Sequence, residues 1–236
     1  MRALIFGALG SIGNYIFQKF THDDIETIGT TTKLCINVNN EVNNHVNNNN
    51  IIFVDINNLN NLLDTDNIDI VVWAHGYNLN DNIYTFDENN FTNIIDANVK
   101  FILLTLNFLI KHNKINDNAK MVIVSSIWEE YTRENKLSYS ISKAALSGLV
   151  KNVAFDLSSK NILINNILPG VIDNEMSRNT LLPEQFDYIK NYMNFGRLVT
   201  LDDIYKIIRF LTIDNSGITG QSIKVDLGFT NFKKFN

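Results

Sequence analysis

The sequence predicts an α/β fold of the doubly wound type, with one parallel sheet of about seven strands and helices on both faces. Short runs rich in Ile and Val alternate with segments of helical period along the chain. The runs are apolar on both faces, as the strands of a helix-covered parallel sheet are. Strand–helix–strand alternation implies right-handed crossovers within one sheet. With 236 residues, the chain suits a single domain over 1–236.

The individual elements follow from local patterns. The predicted strands are Arg2 to Phe6, Ile25 to Thr30, Ile51 to Val54, Ile68 to Trp73, Lys120 to Ser125, Ile162 to Ile167 and Ser222 to Val225. The predicted helices cover residues 11–20, 91–111, 139–158 and 201–212. Residues 37–50 contain nine Asn in fourteen positions, and such a polar tract cannot bury a face. We therefore expect an Asn-rich surface loop there, in place of a helix.

The composition excludes several classes of function. The net charge of -5 and the pI of about 5.3 provide no basic surface for nucleic acid. The single cysteine, Cys35, cannot form an internal disulfide, and no Cys/His cluster has metal-ligand spacing. The apolar run at 101–110 is too short to span a bilayer, and the N-terminal run breaks at glycines, unlike a signal peptide. We expect a cytoplasmic protein without a metal or a membrane partner.

A glycine-rich turn follows the first strand directly. The sequence Gly7-Ala8-Leu9-Gly10-Ser11-Ile12-Gly13 has GxxGxxG spacing. Glycines let the backbone approach a pyrophosphate closely, and the following helix directs free N–H groups and its positive dipole end at the phosphates. A turn between an apolar strand and a helix is typical of Rossmann-type dinucleotide binding. The predicted cofactor contacts in this turn are Gly7, Leu9, Gly10, Ser11, Ile12 and Gly13.

The end of the second strand indicates which dinucleotide binds. An Asp or Glu at this point would hold the adenosine ribose diol and select NAD. This chain has Gly29-Thr30-Thr31-Thr32-Lys33, without a carboxylate to repel a 2′-phosphate. We therefore predict that Thr30, Thr31 and Lys33 bind the 2′-phosphate of NADP(H), with NAD as the alternative cofactor.

Three polar residues near the fifth predicted strand form a candidate catalytic group. Ser126 follows the strand, Tyr139 comes thirteen residues later, and Lys143 is four residues further on. On a helix, positions i and i+4 share a face, so the phenol and the ammonium lie side by side. A free tyrosine has a pKa of about 10, and a nearby cation is expected to lower this pKa towards neutrality. The Ser126 hydroxyl is placed to bind the substrate oxygen on which charge develops.

Together these motifs resemble the short-chain dehydrogenase/reductase family, in its compact single-domain branch, and the likeness runs essentially from end to end. Tyr139-xxx-Lys143 with Ser126 upstream resembles the catalytic core of that family. The resemblance implies that Asn98 kinks a helix and supports a proton relay through Lys143. It also implies hydride transfer between a nicotinamide and a carbonyl or alcohol, with Tyr139 as the proton-transfer residue.

The resemblance assigns further residues to the cofactor. Asp55 and Ile56 match positions near the adenine ring, and Pro169-Gly170-Val171-Ile172 matches the loop that flanks the nicotinamide. Asn174 stands where a Thr usually contacts the carboxamide. The additional cofactor contacts implied in this way are Asp55, Ile56, Ala74, His75, Gly76, Tyr139, Lys143, Pro169, Gly170, Ile172 and Asn174.

The chain also departs from the family's pattern. The family's second glycine falls at the position of Ser11, and this chain carries Gly10 instead, which alters the detailed phosphate-binding geometry. The usual Asn-Asn-Ala-Gly after the fourth strand is Trp73-Ala74-His75-Gly76 here. His75 is expected either to fill space or to donate a hydrogen bond to a phosphate or ribose. Leu227 replaces a usual glycine near the C-terminus.

Substrate contacts are expected in two segments. One follows the fifth strand, over 127–133, and the other is a lid over about 173–195. Aromatic side chains there can stack on a ring, and Arg133 or Arg178 can hold a phosphate or a carboxylate. The polar mixture favours a sugar or nucleotide-sugar over a steroid or a long acyl chain. The predicted substrate contacts are Trp128, Arg133 and Met176.

Two alternative functions use the same scaffold. Epimerases and dehydratases of nucleotide-sugars usually carry a C-terminal substrate domain, for which 236 residues are expected to leave no room. A non-catalytic NADP(H) sensor typically lacks the tyrosine or the lysine that this chain has. Separately, the helices at 95–111 and 139–158 are apolar on more than one face. The resemblance implies that these helices form a four-helix interface, so we expect a homodimer or homotetramer.

Overall fold

The computed structural model describes residues 1–32, 35–36, 42–43, 45–46, 50–192 and 195–231. Its centre is a sheet of eight strands in the order β10-β9-β8-β7-β1-β2-β6-β5. The strands of this sheet are β1 Arg2–Phe6, β2 Glu26–Thr31, β5 His45–Val46, β6 Ile51–Phe53, β7 Ile68–Trp73, β8 Ile115–Val124, β9 Leu163–Pro169 and β10 Ser222–Val225. The strands β3 Cys35–Ile36 and β4 Val42–Asn43 form a separate two-stranded sheet. Neighbours from β10 to β6 run parallel, and β5 adds an antiparallel edge. The predicted seven-stranded parallel sheet is confirmed.

Helices cover the sheet on both sides. The α-helices are α1 Ser11–His22, α2 Glu88–Ile95, α3 Phe101–Lys111, α4 Leu137–Asp156, α5 Glu175–Arg178, α6 Pro183–Tyr192 and α7 Leu201–Arg209. A π-helical segment, Asp96–Lys100, joins α2 to α3, and a second, Phe210–Asp214, extends α7. All four predicted helices are present, and each boundary differs by only a few residues, as helix ends usually do.

The two faces of the sheet bury two separate apolar layers. Alternate residues of β1 point to opposite faces, so Leu4 and Phe6 enter one layer and Ala3 and Ile5 the other. The first layer packs against α3 and α4, and the second against α1 and α7. This two-sided burial explains why the strands have apolar residues on both faces.

The position of β1 determines where a ligand binds. β1 pairs with β2 on one side and with β7 on the other, so the strand order reverses at this point. The loops that leave the carboxyl ends of β1 and β7 separate there, and the crevice between them is the usual ligand site of open α/β sheets.

The Asn-rich segment differs from the predicted loop in its described parts. Val42–Asn43 pairs antiparallel with Cys35–Ile36, and His45–Val46 pairs antiparallel with β6. Backbone hydrogen bonds form a strand regardless of the side chains, and Val42 and Val46 supply β-branched residues among the asparagines. The edge of the sheet therefore extends into the tract where we expected only a loop.

One continuous helix runs from Glu88 to Lys111 and is long and apolar enough to cross a membrane by length and composition. In the fold it carries core residues rather than an all-round apolar surface. Phe101, Ile102, Leu106 and Leu109 are buried against the sheet. This burial is the behaviour of a core helix in a globular domain.

Candidate active site

A cavity of about 630 Å³ lies at the carboxyl ends of the central strands. Its walls come from Ile12 in the first turn of α1, the loops after β7, β8 and β9, the start of α4, and the α5–α6 segment. These elements meet at the crevice that the strand order predicts.

The three candidate catalytic residues line this cavity together. Ser126 directly follows β8 and accepts a hydrogen bond from the Trp128 backbone N–H at 3.3 Å. Tyr139 and Lys143 lie on one face of α4, with the Lys143 ammonium 5.6 Å from the centre of the Tyr139 ring. All three are buried, and the Lys143 ammonium donates to the Val124 carbonyl at 3.2 Å.

Burial controls the protonation of Tyr139. It raises the pKa of Tyr139 to about 12, and a hydrogen bond with the Ser126 hydroxyl offsets only part of this rise. Burial likewise lowers the pKa of Lys143 to about 8, with the Glu129 carboxylate acting in the opposite direction. The expected lowering of the Tyr139 pKa by Lys143 is therefore wrong for this structure, because desolvation of the phenolate dominates. Tyr139 is a neutral phenol at physiological pH.

Asn98 lies in the π-helical segment between α2 and α3 and is almost fully buried. Its amide nitrogen donates to the Tyr77 carbonyl and to the Ser142 hydroxyl, both at 2.9 Å, and its oxygen accepts from the Tyr77 N–H at 2.7 Å. A Cβ built on Gly76 would lie 3.4 Å from the Asn98 oxygen and 3.7 Å from the Lys143 ammonium. Both polar atoms thus border the same small space beside Gly76. The π bulge is what directs the Asn98 side chain inward from the helix.

The glycine turn brings the backbone into unusually close contact with itself. Gly7 has a φ of +82°, and a Cβ there would lie 2.8 Å from His75. A Cβ on Gly13 would lie 2.2 Å from the Gly7 carbonyl oxygen, whereas one on Gly10 would keep 3.4 Å from the same atom. Gly7 and Gly13 therefore have no substitute, while Gly10 tolerates a side chain sterically.

The start of α1 offers free backbone donors. Gly10 is the N-cap residue and provides no side-chain cap, so no side chain satisfies the first N–H groups of this twelve-residue helix. Ser11 is exposed, Leu9 is 47% exposed, and Ile12 lines the cavity. Such an uncapped N-terminus beside a closely packed turn fits the pyrophosphate of a dinucleotide.

The described residues predicted to bind the adenosine end follow or end β2 and β6 and are not among those that line the cavity. Thr30 and Thr31 at the end of β2 are buried, and the Thr30 carbonyl accepts from the Gly7 and Ala8 N–H groups. Lys33 lies outside the described residues. Asp55 follows β6, where its carboxylate accepts from the Asn57 N–H at 2.8 Å, and Ile56 beside it packs against the core.

Ala74, His75 and Gly76 follow β7 and line the cavity. The His75 ring packs edge-on against Phe101, and its Nε2 contacts the Ala97 carbonyl at 3.1 Å. Because the partner is a carbonyl, Nε2 carries the hydrogen and donates it. Burial and then the charge of Lys143 lower the pKa of His75 to about 3, so its ring is neutral. His75 therefore fills space, and its Nδ1 is a buried acceptor without a protein partner.

The loop after β9 forms the wall opposite His75. Pro169 ends β9, and a Cβ on Gly170 would lie 3.0 Å from the Asp226 backbone. Ile172 is buried and bridges to Val199. Asn174 lines the cavity but also caps α5, since its side-chain oxygen accepts from the Ser177 N–H at 2.9 Å. Its amide N–H groups can still donate to a ligand.

The predicted substrate contacts all reach the cavity. Trp128 and Arg133 line one side of it, with the guanidinium 6.0 Å from the centre of the Trp128 ring, and Met176 lies on the lid. Arg178 does not line the cavity, because it is exposed and pairs with Asp173 at 2.7 Å.

Glu129, expected in the substrate-binding segment, is instead part of a buried polar cluster beneath the cavity. It accepts hydrogen bonds from Asn166 at 3.0 Å and from the Ser222 hydroxyl. Burial raises the pKa of the Glu129 carboxyl, and these hydrogen bonds offset part of the rise. Its neighbour Glu130 pairs with Lys224 at 2.7 Å and also points away from the cavity.

Lys136 and Asn78 are among the polar lining residues that were missed at the level of sequence. Lys136 precedes α4 and is 2% exposed, and Asn78 lies in the loop after β7. The Lys136 ammonium donates to the Asn78 side-chain oxygen at 2.8 Å. The sequence does show a lysine three positions before Tyr139. It does not show that Asn78, 58 positions earlier in the chain, encloses this lysine.

Comparisons with known proteins were made against this geometry. A family model described as Enoyl-(Acyl carrier protein) reductase matches residues 7–230. Dehydrogenase/reductase SDR family member 4 of Sus scrofa is 31% identical over 136 residues, which cover 57% of this chain and about half, 49%, of that protein. The 3-oxoacyl-acyl-carrier-protein reductase FabG of Buchnera aphidicola is 28% identical over 239 residues, 96% of each chain. The structure of ElxO with NADP bound matches with a TM-score of 0.80 at 23% identity, covering 98% of this chain and 99% of that one, and shows the same fold.

Proposed function

Because the chain belongs to the short-chain dehydrogenase/reductase family, we propose that it is an NADP(H)-dependent oxidoreductase that transfers a hydride between nicotinamide and a carbonyl or secondary alcohol. One observation carries the proposal. Ser126, Tyr139 and Lys143 are buried together on one cavity, which is also lined by Ile12 at the end of the tightly packed glycine turn. A cofactor-binding crevice and a proton-transfer group thus share one space.

The protein's own part of the reaction is to handle a proton and a developing charge. A bound nicotinamide supplies the hydride chemistry. As a neutral phenol with a pKa of about 12, Tyr139 is in the state that donates a proton to a carbonyl oxygen. The Ser126 hydroxyl, which lines the same cavity, donates to that carbonyl oxygen as negative charge develops.

Lys143 and Asn98 assist proton transfer by Tyr139 without contacting the substrate carbonyl. The Lys143 ammonium stabilises the phenolate that remains after proton donation, and its place next to the Tyr139 ring gives it that role. The space beside Gly76, bordered by the Lys143 ammonium and the Asn98 oxygen, suits a water molecule that returns a proton through the lysine. Asn98 itself is a positioning residue, since its hydrogen bonds hold Tyr77 and Ser142.

The cofactor assignment rests on residues of this chain. The turn from Gly7 to Gly13 and the uncapped start of α1 would hold the pyrophosphate. The end of β2 lacks a carboxylate, which favours NADP(H) over NAD. The loops with Ala74–Gly76 and Pro169–Asn174 would enclose the ribose and the nicotinamide.

The substrate is proposed to be a small polar carbonyl compound, with a sugar or nucleotide-sugar as the favoured class. Trp128, Tyr188 and Tyr192 give the cavity aromatic faces for a sugar ring, and Arg133 gives it a charged donor. Turnover of a panel of sugars, nucleotide-sugars and hydrophobic ketones tests this choice. If only hydrophobic ketones were reduced, the sugar class would be rejected and the oxidoreductase function kept.

The cofactor proposal is tested by nucleotide binding. Fluorescence titration of wild-type protein and Lys33→Ala with NADPH and NADH should show tighter binding of NADPH, and the substitution should remove most of that difference. Tighter binding of NADH would reject the 2′-phosphate site while leaving the family intact. Tight binding with no turnover on a broad carbonyl panel would favour the non-catalytic sensor.

The assembly is proposed to be a homodimer or homotetramer in the cytoplasm. Leu103, Ile141 and Phe155 on α3 and α4 are exposed by 45%, 45% and 80%, which is unusual for large apolar side chains on helices. Sedimentation equilibrium at micromolar concentration should show an oligomer, and Phe155→Glu should shift the equilibrium towards monomer. A clean wild-type monomer would contradict the proposal.

A further inference from the structure

Lys136 occupies a position that a lysine rarely takes. It is the N-cap residue of α4, three positions before Tyr139, and only 2% of it is exposed. Its ammonium lies 5.5 Å from the centre of the Tyr139 ring, on the wall of the central cavity. A second cation, besides Lys143, is therefore buried beside the tyrosine.

The ammonium of Lys136 has neutral protein partners only. It donates to the Asn78 side-chain oxygen at 2.8 Å and to the Leu79 carbonyl at 3.4 Å. None of the ion pairs in the described part of the chain involves Lys136. Asp81, the nearby carboxylate, instead accepts from the N–H and the hydroxyl of Ser138. The charge of Asp81 acts to raise the pKa of Lys136 but does not outweigh burial, so the buried ammonium is incompletely compensated.

A further cation, Arg133, lines the same cavity as Lys136. Its positive charge contributes, after burial, to the lowered pKa of Lys136. The Arg133 guanidinium stands over the Trp128 ring and donates to the Thr180 carbonyl on the lid at 3.4 Å. It too forms no ion pair among the described residues. Two mutually repelling cations thus line one cavity, and an anion between them would relieve both.

We propose that Lys136 and Arg133 bind an anionic group of the substrate, a carboxylate or a phosphate, next to the carbonyl that Tyr139 protonates. The inference rests on the proposed oxidoreductase function. The 5.5 Å between the Lys136 ammonium and the Tyr139 ring places the anionic group within a few bonds of the reacting carbon. In this proposal Lys136, at the start of α4, selects for a negative charge on the substrate. Arg133 contacts the same anionic group from the side that faces the lid.

A purely structural role for Lys136 predicts a different behaviour. Its two hydrogen bonds tie the loop after β7 to the start of α4. Lys136→Gln keeps an N–H donor for Asn78 but removes the charge, whereas Lys136→Arg keeps the charge. If Lys136 served only to connect the loop after β7 to α4, Lys136→Gln would not change the preference for charged over neutral ligands.

Binding of matched probes separates the two roles. Acetoacetate and methyl acetoacetate differ in a carboxylate, and dihydroxyacetone phosphate and dihydroxyacetone differ in a phosphate. Trp128 lines the cavity while the other tryptophan, Trp73, is fully buried in the core, so a change in fluorescence reports on the cavity. Titrations of wild type, Lys136→Gln, Lys136→Arg and Arg133→Gln are compared with Lys111→Gln, an exposed lysine on α3 with the same loss of charge. NADP+ is present throughout, to keep phosphate probes from the glycine turn.

Wild-type protein should bind the charged member of at least one pair about tenfold more tightly than the neutral member. Lys136→Gln should remove most of this preference, Arg133→Gln should reduce it, and Lys136→Arg and Lys111→Gln should retain it. Because Arg133 is partly exposed, its variant keeps the test usable if Lys136→Gln fails to fold. Equal binding of both members of both pairs, or a preference that survives loss of either charge, would overturn the proposal.

Turnover distinguishes this proposal from the one on which it rests. If charged probes bind in a Lys136-dependent way but no carbonyl is reduced, the oxidoreductase function fails and the anion site stands. If neutral carbonyls are reduced with the same kcat/KM as charged ones, the oxidoreductase function stands and the anion site is rejected.

Discussion

Two walls of the cavity differ in how deeply their side chains are buried. One wall is formed by Ser126 and the start of α4, and the other is the lid over residues 173–192. Ser126, Tyr139 and Lys143 are buried and hydrogen-bonded, whereas Met176 and Tyr188 on the lid are 38% and 65% exposed. The described part of the lid carries two short helices, and its Ile189 packs with Leu198, outside the lid, in a small apolar cluster. Sparse burial of this kind gives low local stability and easy opening. The reaction chemistry is therefore built on a rigid wall, and substrate fit is left largely to an adaptable one.

Substitution of Tyr139 on the rigid wall should have the largest effect. Tyr139→Phe keeps the ring in its buried place but removes the proton donor, so kcat should fall by about a thousandfold, with a much smaller effect on cofactor affinity. The matched change on the lid, Tyr188→Phe, should alter kcat/KM by only a few-fold. Steady-state kinetics on any accepted carbonyl measure both. Comparable losses in the two variants would erase the distinction between the walls.

The glycine turn offers the next largest effect and an internal control. Gly13→Ala would place a methyl group 2.2 Å from the Gly7 carbonyl oxygen, so the turn must deform. Gly10→Ala would keep 3.4 Å from the same atom and should be tolerated. We expect NADPH affinity to fall by more than about tenfold in the first variant and by only a few-fold in the second. Equal losses in both would show that Gly10 has a role beyond backbone space.

Asn98 is expected to stabilise the rigid wall through its hydrogen bonds. Asn98→Ala would leave the Tyr77 N–H, the Tyr77 carbonyl and the Ser142 hydroxyl without this partner. The free energy of unfolding should fall by about 3 kcal/mol, compared with about 1 kcal/mol for Ser142→Ala, which loses fewer bonds to its neighbours. Urea denaturation of the three proteins gives the comparison. A cost for Asn98→Ala no greater than that for Ser142→Ala would contradict it.

Lys136 makes the rigid wall sensitive to pH. Burial, and then the charge of Arg133, lower its pKa from 10.5 to about 7 in the folded protein. Between these values the unfolded chain binds a proton that the folded chain has lost, so this residue makes stability rise with pH from about 7 to about 10. Below the folded pKa both states are protonated and the full cost of burying the ammonium is present.

Lys136→Gln removes this titration and should therefore stabilise the protein by about 2 kcal/mol at pH 6, with the gain vanishing near pH 10. Lys143, whose pKa is also lowered, titrates in both proteins and cancels in the difference. Denaturant unfolding at the two pH values, with Lys111→Gln as the charge control, measures the effect. A stability difference that does not change with pH would contradict a titrating Lys136.

The features that could be predicted from sequence are those with a local pattern. Apolar runs identified all seven parallel strands, but the polar residues Asn116, Asp117 and Asn118 concealed the first half of β8, which begins at Ile115 rather than near Lys120. The spacing of Tyr139 and Lys143 identified a shared helix face because that periodicity is intrinsic to a helix.

Features that depend on contacts between distant segments were missed. The protonation of Tyr139 was predicted with the wrong sign, because the sequence shows the neighbouring Lys143 but not the burial that outweighs it. The enclosure of Lys136 depends on Asn78 and Leu79, which are distant in the chain. The burial of Glu129 beneath the cavity likewise depends on Asn166 and Ser222.

Hydride transfer from the nicotinamide, with Tyr139 as the proton donor, is tested most directly with NADPH deuterated at the transferring position of its nicotinamide. Wild-type protein is incubated with a panel of carbonyl compounds that includes keto acids, sugar phosphates and their neutral analogues, and products are analysed by mass spectrometry. We predict an alcohol product that carries one deuterium at the former carbonyl carbon, at a rate about a thousandfold lower in Tyr139→Phe. Tight NADPH binding without deuterium in any product, or transfer that is unaffected by Tyr139→Phe, would contradict the account.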